Sequence, residues 1–289
     1  MQPLQKYLRG GTWLGVLALG ALLLFSAGVR AQNTHRQNSG NVAVNTAVST
    51  NTGASTNSEV EPLVRQALKT MSDQLRAATS FSFRARIMRE EPGTNGQMLE
   101  FFRHVNVEVQ RPNKMHLEVR SDTSKTNLWY DGKNVTMMPE SAKIYTVIPA
   151  PPSIDAALAM LKEKLDVHSP LRPFLSSDPY AMLTDGIETG NEVGVVNVDD
   201  EQFLHLAFTE PDADWQLWLS GPNQVLPRRM AIIFKKEEGQ PRVDVEFSNW
   251  NLNAQIPASA FVFSKPQGAM QASLNALRPR EVQRGGKAK

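Results

Sequence analysis

From Phe81 onward the chain changes period, and that change narrows the fold more than any other feature of the sequence. Phe81, Phe83, Ala85 and Ile87 alternate with Ser82, Arg84, Arg86 and Met88, the pattern of a strand with one dry and one wet face. After Pro92-Gly93-Thr94-Asn95-Gly96 the alternation resumes at Leu99, Phe101, Val105, Val107 and Val109. Arg111-Pro112-Asn113 makes the next turn, and Met115, Leu117 and Val119 continue beyond it. If Gln110 faces Lys114, then Val109, Val107 and Val105 face Met115, Leu117 and Val119, so both strands bury one side. Asp131-Gly132 signals another hairpin, between Leu128-Trp129-Tyr130 and Val135-Thr136-Met137-Met138, and a strand follows at Ile144-Tyr145-Thr146-Val147-Ile148.

Helical spacing brackets these strands. Val60, Leu63, Val64, Ala67, Leu68, Met71 and Leu75 recur at steps of three and four, which predicts an amphipathic helix across 60–78. Ser58 or Glu61 would cap it, with Pro62 in its first turn. Ser153 opens a second helix through residue 165, and Ser177 with Pro179 opens a short third one that stops near Gly186. Strands then return at 193–198, 203–209, 215–219, 228–236 and 243–250, with a short one at Phe261-Val262-Phe263. About eleven strands in a row predict an α+β fold: a strongly curved antiparallel sheet, an incomplete β-barrel, with helices over its concave face.

The ends read differently. Lys6 and Arg9 precede an apolar run from Trp13 to Phe25, and Val29-Arg30-Ala31 offers small or branched residues where a signal peptidase reads. Residues 1–31 are therefore expected to be a secretory signal cleaved after Ala31; an uncleaved inner-membrane anchor is the alternative. Residues 32–58 hold no aromatic and no acidic residue, so they cannot bury enough surface to offset chain entropy and are expected to be a disordered spacer. The folded domain is expected at 59–264, followed by a disordered basic tail at 265–289 that could touch anionic lipid. The chain has no cysteine, which excludes disulfides, thiolate chemistry and a lipidated cysteine anchor. Between Glu59 and Ser264 there are 21 Lys or Arg against 28 Asp or Glu, and so acidic a domain repels nucleic acid.

Several short motifs carry a resemblance. Ala67-Leu68-Lys69-Thr70-Met71-Ser72, Trp129-Tyr130-Asp131-Gly132-Lys133, Ser176-Ser177-Asp178-Pro179-Tyr180-Ala181, His205-Leu206-Ala207-Phe208, Asp214-Trp215-Gln216-Leu217-Trp218-Leu219, Leu226-Pro227-Arg228-Arg229 and Trp250-Asn251-Leu252-Asn253 together resemble a bacterial family of predicted periplasmic proteins of unknown function, number 2092. That family is similar to the lipoprotein-carrier superfamily of LolA, LppX and RseB. The resemblance implies a bent antiparallel half-barrel covered by helices, with acyl chains as the usual guest. It supplies no lipid-contact motif that can be matched residue by residue.

No chemistry stands out beside it. The five histidines never fall at metal spacing on one element, and no catalytic or metal site and no cofactor is expected. His104 is expected near Arg120 and His116 near Glu108, as cross-strand partners. Asp214 beside Trp215 and Trp218, with His205 on the preceding strand, is the one polar cluster near large aromatics. The stronger signal is apolar supply on one face: Phe81, Phe83, Phe101, Val105, Val107, Met115, Leu117, Val135 and Met137 are the candidate lining of a hydrophobic cavity. The leading expectation is a periplasmic carrier or binding protein holding a lipid or lipoprotein acyl chain between sheet and helices. A sensing or scaffold module that binds another envelope protein is the alternative, and a hydrolase comes third.

Overall fold

The computed structural model describes residues 59–274, apart from 94, 166, 167, 199, 222 and 223. The export signal, the cleavage after Ala31, the whole spacer and most of the basic tail lie outside the described residues.

The chain starts with β1 (Glu59–Val60) and α1 (Pro62–Ala77), then runs through β2 (Ser80–Pro92), β3 (Met98–Gln110), β4 (Lys114–Ser121), β5 (Lys125–Tyr130), β6 (Asn134–Pro139) and β7 (Ile144–Pro149). A helical insertion follows: α2 (Ile154–Leu165), α3 (Arg172–Leu175) and α4 (Pro179–Thr184). The sheet is completed by β8 (Thr189–Val198), β9 (Glu201–Thr209), β10 (Ala213–Ser220), β11 (Pro227–Phe234), β12 (Arg242–Asn251) and β13 (Met270–Gln271). All thirteen strands form one curved, unclosed sheet in the order β1-β8-β9-β10-β11-β12-β2-β3-β4-β5-β6-β7-β13. Every pairing is antiparallel except the two at the ends, where β1 joins β8 and β13 joins β7 in parallel.

The expected register holds: Gln110 faces Lys114, and Val109, Val107 and Val105 face Met115, Leu117 and Val119. At the β5–β6 turn Asp131 Oδ1 accepts from the backbone of Lys133 and Asn134 at 2.8 and 2.7 Å. Gly132 takes φ 93° there, and a Cβ would stand 2.7 Å from Asn113, so only glycine fits.

One face of the sheet, the inner one, is dry. Its odd-numbered positions 81–87 on β2, 105–109 on β3 and 115–119 on β4 pack with Val64, Leu68, Met71 and Leu75 of α1, Ile154, Ala157 and Leu161 of α2, Phe174 of α3 and Leu183 of α4 in one continuous core. At roughly 1.5–3 kcal/mol per buried side chain, the four α1 residues contribute on the order of 10 kcal/mol. That decides the outcome for α1, because isolated helices of this length are marginal in water.

Several details depart from the sequence reading. Glu61 occupies the N-cap of α1 without a side-chain cap bond; its carboxylate accepts from the backbone of Glu192 at 2.9 Å instead and ties the helix to β8. Ser153 caps α2 as expected, but Asp178, not Ser177, caps α4, accepting from Ala181 at 3.0 Å. Phe261 closes a 3-10 turn at Ala258–Phe261 rather than a strand. The described fold also runs past Ser264, where the sequence reading ends the domain, because β13 adds to the sheet and Thr146 Oγ1 donates to the carbonyl of Ala272 at 2.6 Å. The count of thirteen exceeds eleven chiefly through β1 and β13, two residues each, too short to show a period.

Candidate functional site: the apolar inner face of the sheet

Eight of the nine candidate lining residues come together on the inner face. Phe81, Phe83, Val105, Val107, Met115, Leu117, Val135 and Met137 are all at most 2 % exposed. Phe81 and Phe83 lie parallel, with centroids 6.4 Å apart. A register shift between Ser248 and Asn251, with Asn249 at φ 55°, turns Trp250 onto the same face, where it stacks on Phe83 at 4.1 Å. The ninth residue, Phe101, shares their parity on β3 but is 39 % exposed, beside Leu99 at 40 %. The reason is geometric: β4 pairs with β3 only from Arg103 to Gln110, so the β2–β3 hairpin outruns its neighbours.

The helical insertion is fastened at the opposite end. Arg111, in the β3–β4 turn, donates to the carbonyls of Leu175 and Ser176 at 3.2 and 2.8 Å. Asp155 of α2 accepts from Ser176 Oγ at 2.7 Å and from the Ser177 backbone at 3.1 Å, and these bonds, with Arg111 nearby, hold its carboxyl below the usual range against the opposing effect of burial. The Tyr130 hydroxyl donates to the carbonyl of Pro151 at the start of the insertion. Helices of four and six residues have no independent stability, so α3 and α4 stay in place through these bonds and the burial of Phe174 and Leu183.

Between the dry floor and exposed Phe101 the inner face turns charged. Arg89 and Glu91 continue the odd positions of β2 beyond Ile87, and Arg103 shares the parity of Val105; all three are at most 7 % exposed. Arg89 donates to Glu237 at 3.2 Å, approaches Glu91 at 3.9 Å and lies over the Phe234 ring at 5.5 Å. Burial pushes the Glu91 carboxyl up to about 7, against the pull of Arg89 and Arg103. Burial likewise pulls Arg103 down to about 10, while Glu91 and Asp122 oppose it. Burial raises Glu237 as well. The sequence reading missed this cluster because it followed the β2 alternation only to Ile87; carried two positions further, the same parity lands on Arg89 and Glu91.

The polar cluster expected around Asp214 is divided by the sheet. Trp215 is buried on the inner face, whereas Trp218 lies on the outer face, stacked on His205 at 4.2 Å with Arg229 above it at 4.9 Å. Asp214 pairs with Lys235 at 2.8 Å. His104 faces Arg120 across the strands, and His116 Nδ1 lies 3.0 Å from Glu108, as expected. Among the described residues no group of three or more His, Asp or Glu is placed to hold a metal ion, and no helix is long and apolar enough to cross a membrane. An open groove of about 400 Å³ lies at the β4–β5 and β6–β7 turns, lined by Arg120, Ser121, Thr123, Ser124, Lys125, Glu140 and Ser141. The residues around it are all polar or charged, and none of them belongs to the candidate lining set.

Together these features define a class: an unclosed antiparallel half-barrel with a helix-covered apolar inner face. A model of predicted periplasmic proteins, DUF2092, matches residues 65–275. The chain belongs to that family. No curated protein matches it. Among solved structures it is similar to the lipoprotein LppX of Mycobacterium tuberculosis, at 12 % identity and a TM-score of 0.43 over 68 % of this chain and 100 % of that one. It is similar to LprF from Mycobacterium bovis, at 14 % identity and 0.39, covering 68 % and 97 %. A LolA superfamily protein from Nitrosomonas europaea gives 11 % and 0.35, covering 69 % and 97 %.

Proposed function

We propose that this protein is a periplasmic carrier or binding protein that holds a hydrophobic ligand, a lipid or lipoprotein acyl chain, between the inner face of the sheet and its helical cover. The observation that carries the reading is the contrast between floor and roof. The floor is a broad apolar surface on long hydrogen-bonded strands, while α2, α3 and α4 belong to one insertion held by the burial of side chains such as Ile154, Leu161, Phe174 and Leu183 and by polar bonds around Arg111 and Asp155. A guest would have to replace the apolar burial that the insertion's side chains now provide, and the exposed Leu99 and Phe101 mark an end of the same face that the cover leaves open. Guest binding then replaces helix-to-sheet contacts with chain-to-sheet contacts, worth about 0.8 kcal/mol per buried methylene. No covalent step is involved.

The reading is tested by native mass spectrometry of protein purified from the envelope, together with displacement of a fluorescent fatty-acid probe. A stoichiometric apolar guest and saturable displacement are expected. Protein that stays empty and never binds the probe would reject it.

A second reading has its own observation. β1 covers β8 only at Thr189 and Gly190, and Val193, Val195 and Val198 beyond them are 56 %, 61 % and 49 % exposed. An open edge with apolar side chains suits strand addition by an envelope protein partner. A detergent-resistant complex lost in Val195→Lys would favour this scaffold role.

A further inference from the structure

The edge strand β8 is longer than the strand that covers it. β1 pairs with it only at Thr189 and Gly190, and the backbone N–H of Glu192 then donates to the Glu61 carboxylate. Past a bulge between Glu192 and Gly194, β8 keeps a regular ladder to β9 from Gly194 to Val198, and among the described residues no strand lies on its other side. Val195 faces Leu204 of β9, which packs against the core, yet Val195 itself is 61 % exposed. The dry inner face therefore runs on to this edge and stops in solvent, a template for one more strand. The chain carries a matching segment close by. Asn41-Val42-Ala43-Val44-Asn45-Thr46-Ala47-Val48 places β-branched residues at 42, 44, 46 and 48 and holds neither charge nor proline, the composition of a strand with one apolar side. It lies outside the described residues and is joined to Glu59 by the ten residues 49–58.

We propose that residues 42–48 add to β8 as an antiparallel strand over 194–198, so that the chain caps its own open edge. The length of the connection sets the direction. An antiparallel strand ends near Glu192, about 10 Å from the start of β1 beside Thr189, while residues 49–58 reach up to about 33 Å. A parallel one would end near Val198, about 30 Å away, and leave the same connection almost fully stretched. Charge separates this occupant from a second copy of the chain. Antiparallel about Val196, a second β8 would set Glu192 beside Asp200 on both sides of the pair, and like charges so placed repel. Residues 37–58 carry no charge. The tether also holds the segment at an effective concentration of about millimolar, above that of a dilute separate partner. The cap is independent of the carrier reading, and a protein partner that uses β8 must first displace it.

Hydrogen exchange followed by mass spectrometry on the exported protein purified from the envelope tests the cap. Relative to unstructured-peptide rates, amides of 42–48 should exchange at least about tenfold more slowly than those of 49–58, at every protein concentration. Combining Val44→Pro with Asn45→Pro removes two successive N–H groups, one of which must point at β8. That variant should lose the protection at 42–48 and exchange faster at 194–198. Equal rates at 42–48 and 49–58 in the unsubstituted protein overturn the proposal and leave the edge to a protein partner. Protection that appears only as a dimer forms, monitored by light scattering, overturns it in favour of a second copy. Because the deciding comparison is made on the unsubstituted chain, misfolding of the variant does not blunt the test.

Discussion

Trp215 donates its indole N–H to Glu210 at 2.8 Å, and the two residues are 1 % and 0 % exposed. A carboxyl group thus sits inside the inner face where β9 turns into β10. Burial pushes it up to about 7, with Asp185 and Asp212 adding to the rise, while the Trp215 bond and Lys235 pull the other way. Replacing Trp215 with Phe keeps most of the ring and removes the donor. We expect a loss of about 1–3 kcal/mol in urea unfolding, the cost of a buried polar group deprived of its partner. The Glu210 titration should move further upward by carboxyl-carbon NMR; an unchanged titration would show that the bond does not govern this group.

Stability should depend on pH in a direction set by two carboxyls. Glu91 and Glu210 both stand at about 7 in the fold, against an ordinary value of 4.5, so the folded state holds more protons than the unfolded chain between those values. Their contribution is complete below about pH 4.5 and is lost as pH rises through 7, by up to about 3 kcal/mol each. Asp155, held low by its bonds to Ser176 and Ser177, acts oppositely and loses its contribution on further acidification. Thermal melting should therefore show a maximum on the acid side of neutrality. The fall towards pH 8 should flatten in Glu91→Gln and Glu210→Gln; a slope that survives both changes would place the titration elsewhere.

Arg111 is expected to act as the fastener of the helical cover. Arg111→Met removes the donors to the carbonyls of Leu175 and Ser176, which should lower the cost of local opening by about 2 kcal/mol or more. Amide exchange across 172–184 should speed up while β2 to β5 stay protected. Uniform acceleration across the sheet would show that the cover and the core open together.

Phe101 and Leu117 share a face and should behave in opposite ways. Leu117 is 2 % exposed, so Leu117→Ala should cost about 2–5 kcal/mol, and a charge there should prevent folding. Phe101 is 39 % exposed, and Phe101→Glu should leave the melting temperature nearly unchanged while weakening uptake of an acyl probe. Undiminished uptake by that folded variant would remove Phe101 from the entry path.

What the chain determined by itself was everything that short-range periodicity can carry. The two-residue alternation established the strands, the turn residues set the pairing of Gln110 with Lys114, and Ser153 marked where α2 begins. Neighbours in sequence decide such features, because pleat and helix pitch repeat within a few residues. What the tertiary structure alone decided were the relations between distant strands. The unequal lengths of β3 and β4 left Phe101 at an open lip, and the bulge at Asn249 brought Trp250 onto Phe83. Closure of β12 against β2, with the turn that carries Glu237, placed Arg89 among Glu91, Arg103 and Glu237. No local pattern encodes these outcomes, since a side chain's exposure and charge environment depend on which strands end beside it, and the sheet joins strands more than a hundred residues apart.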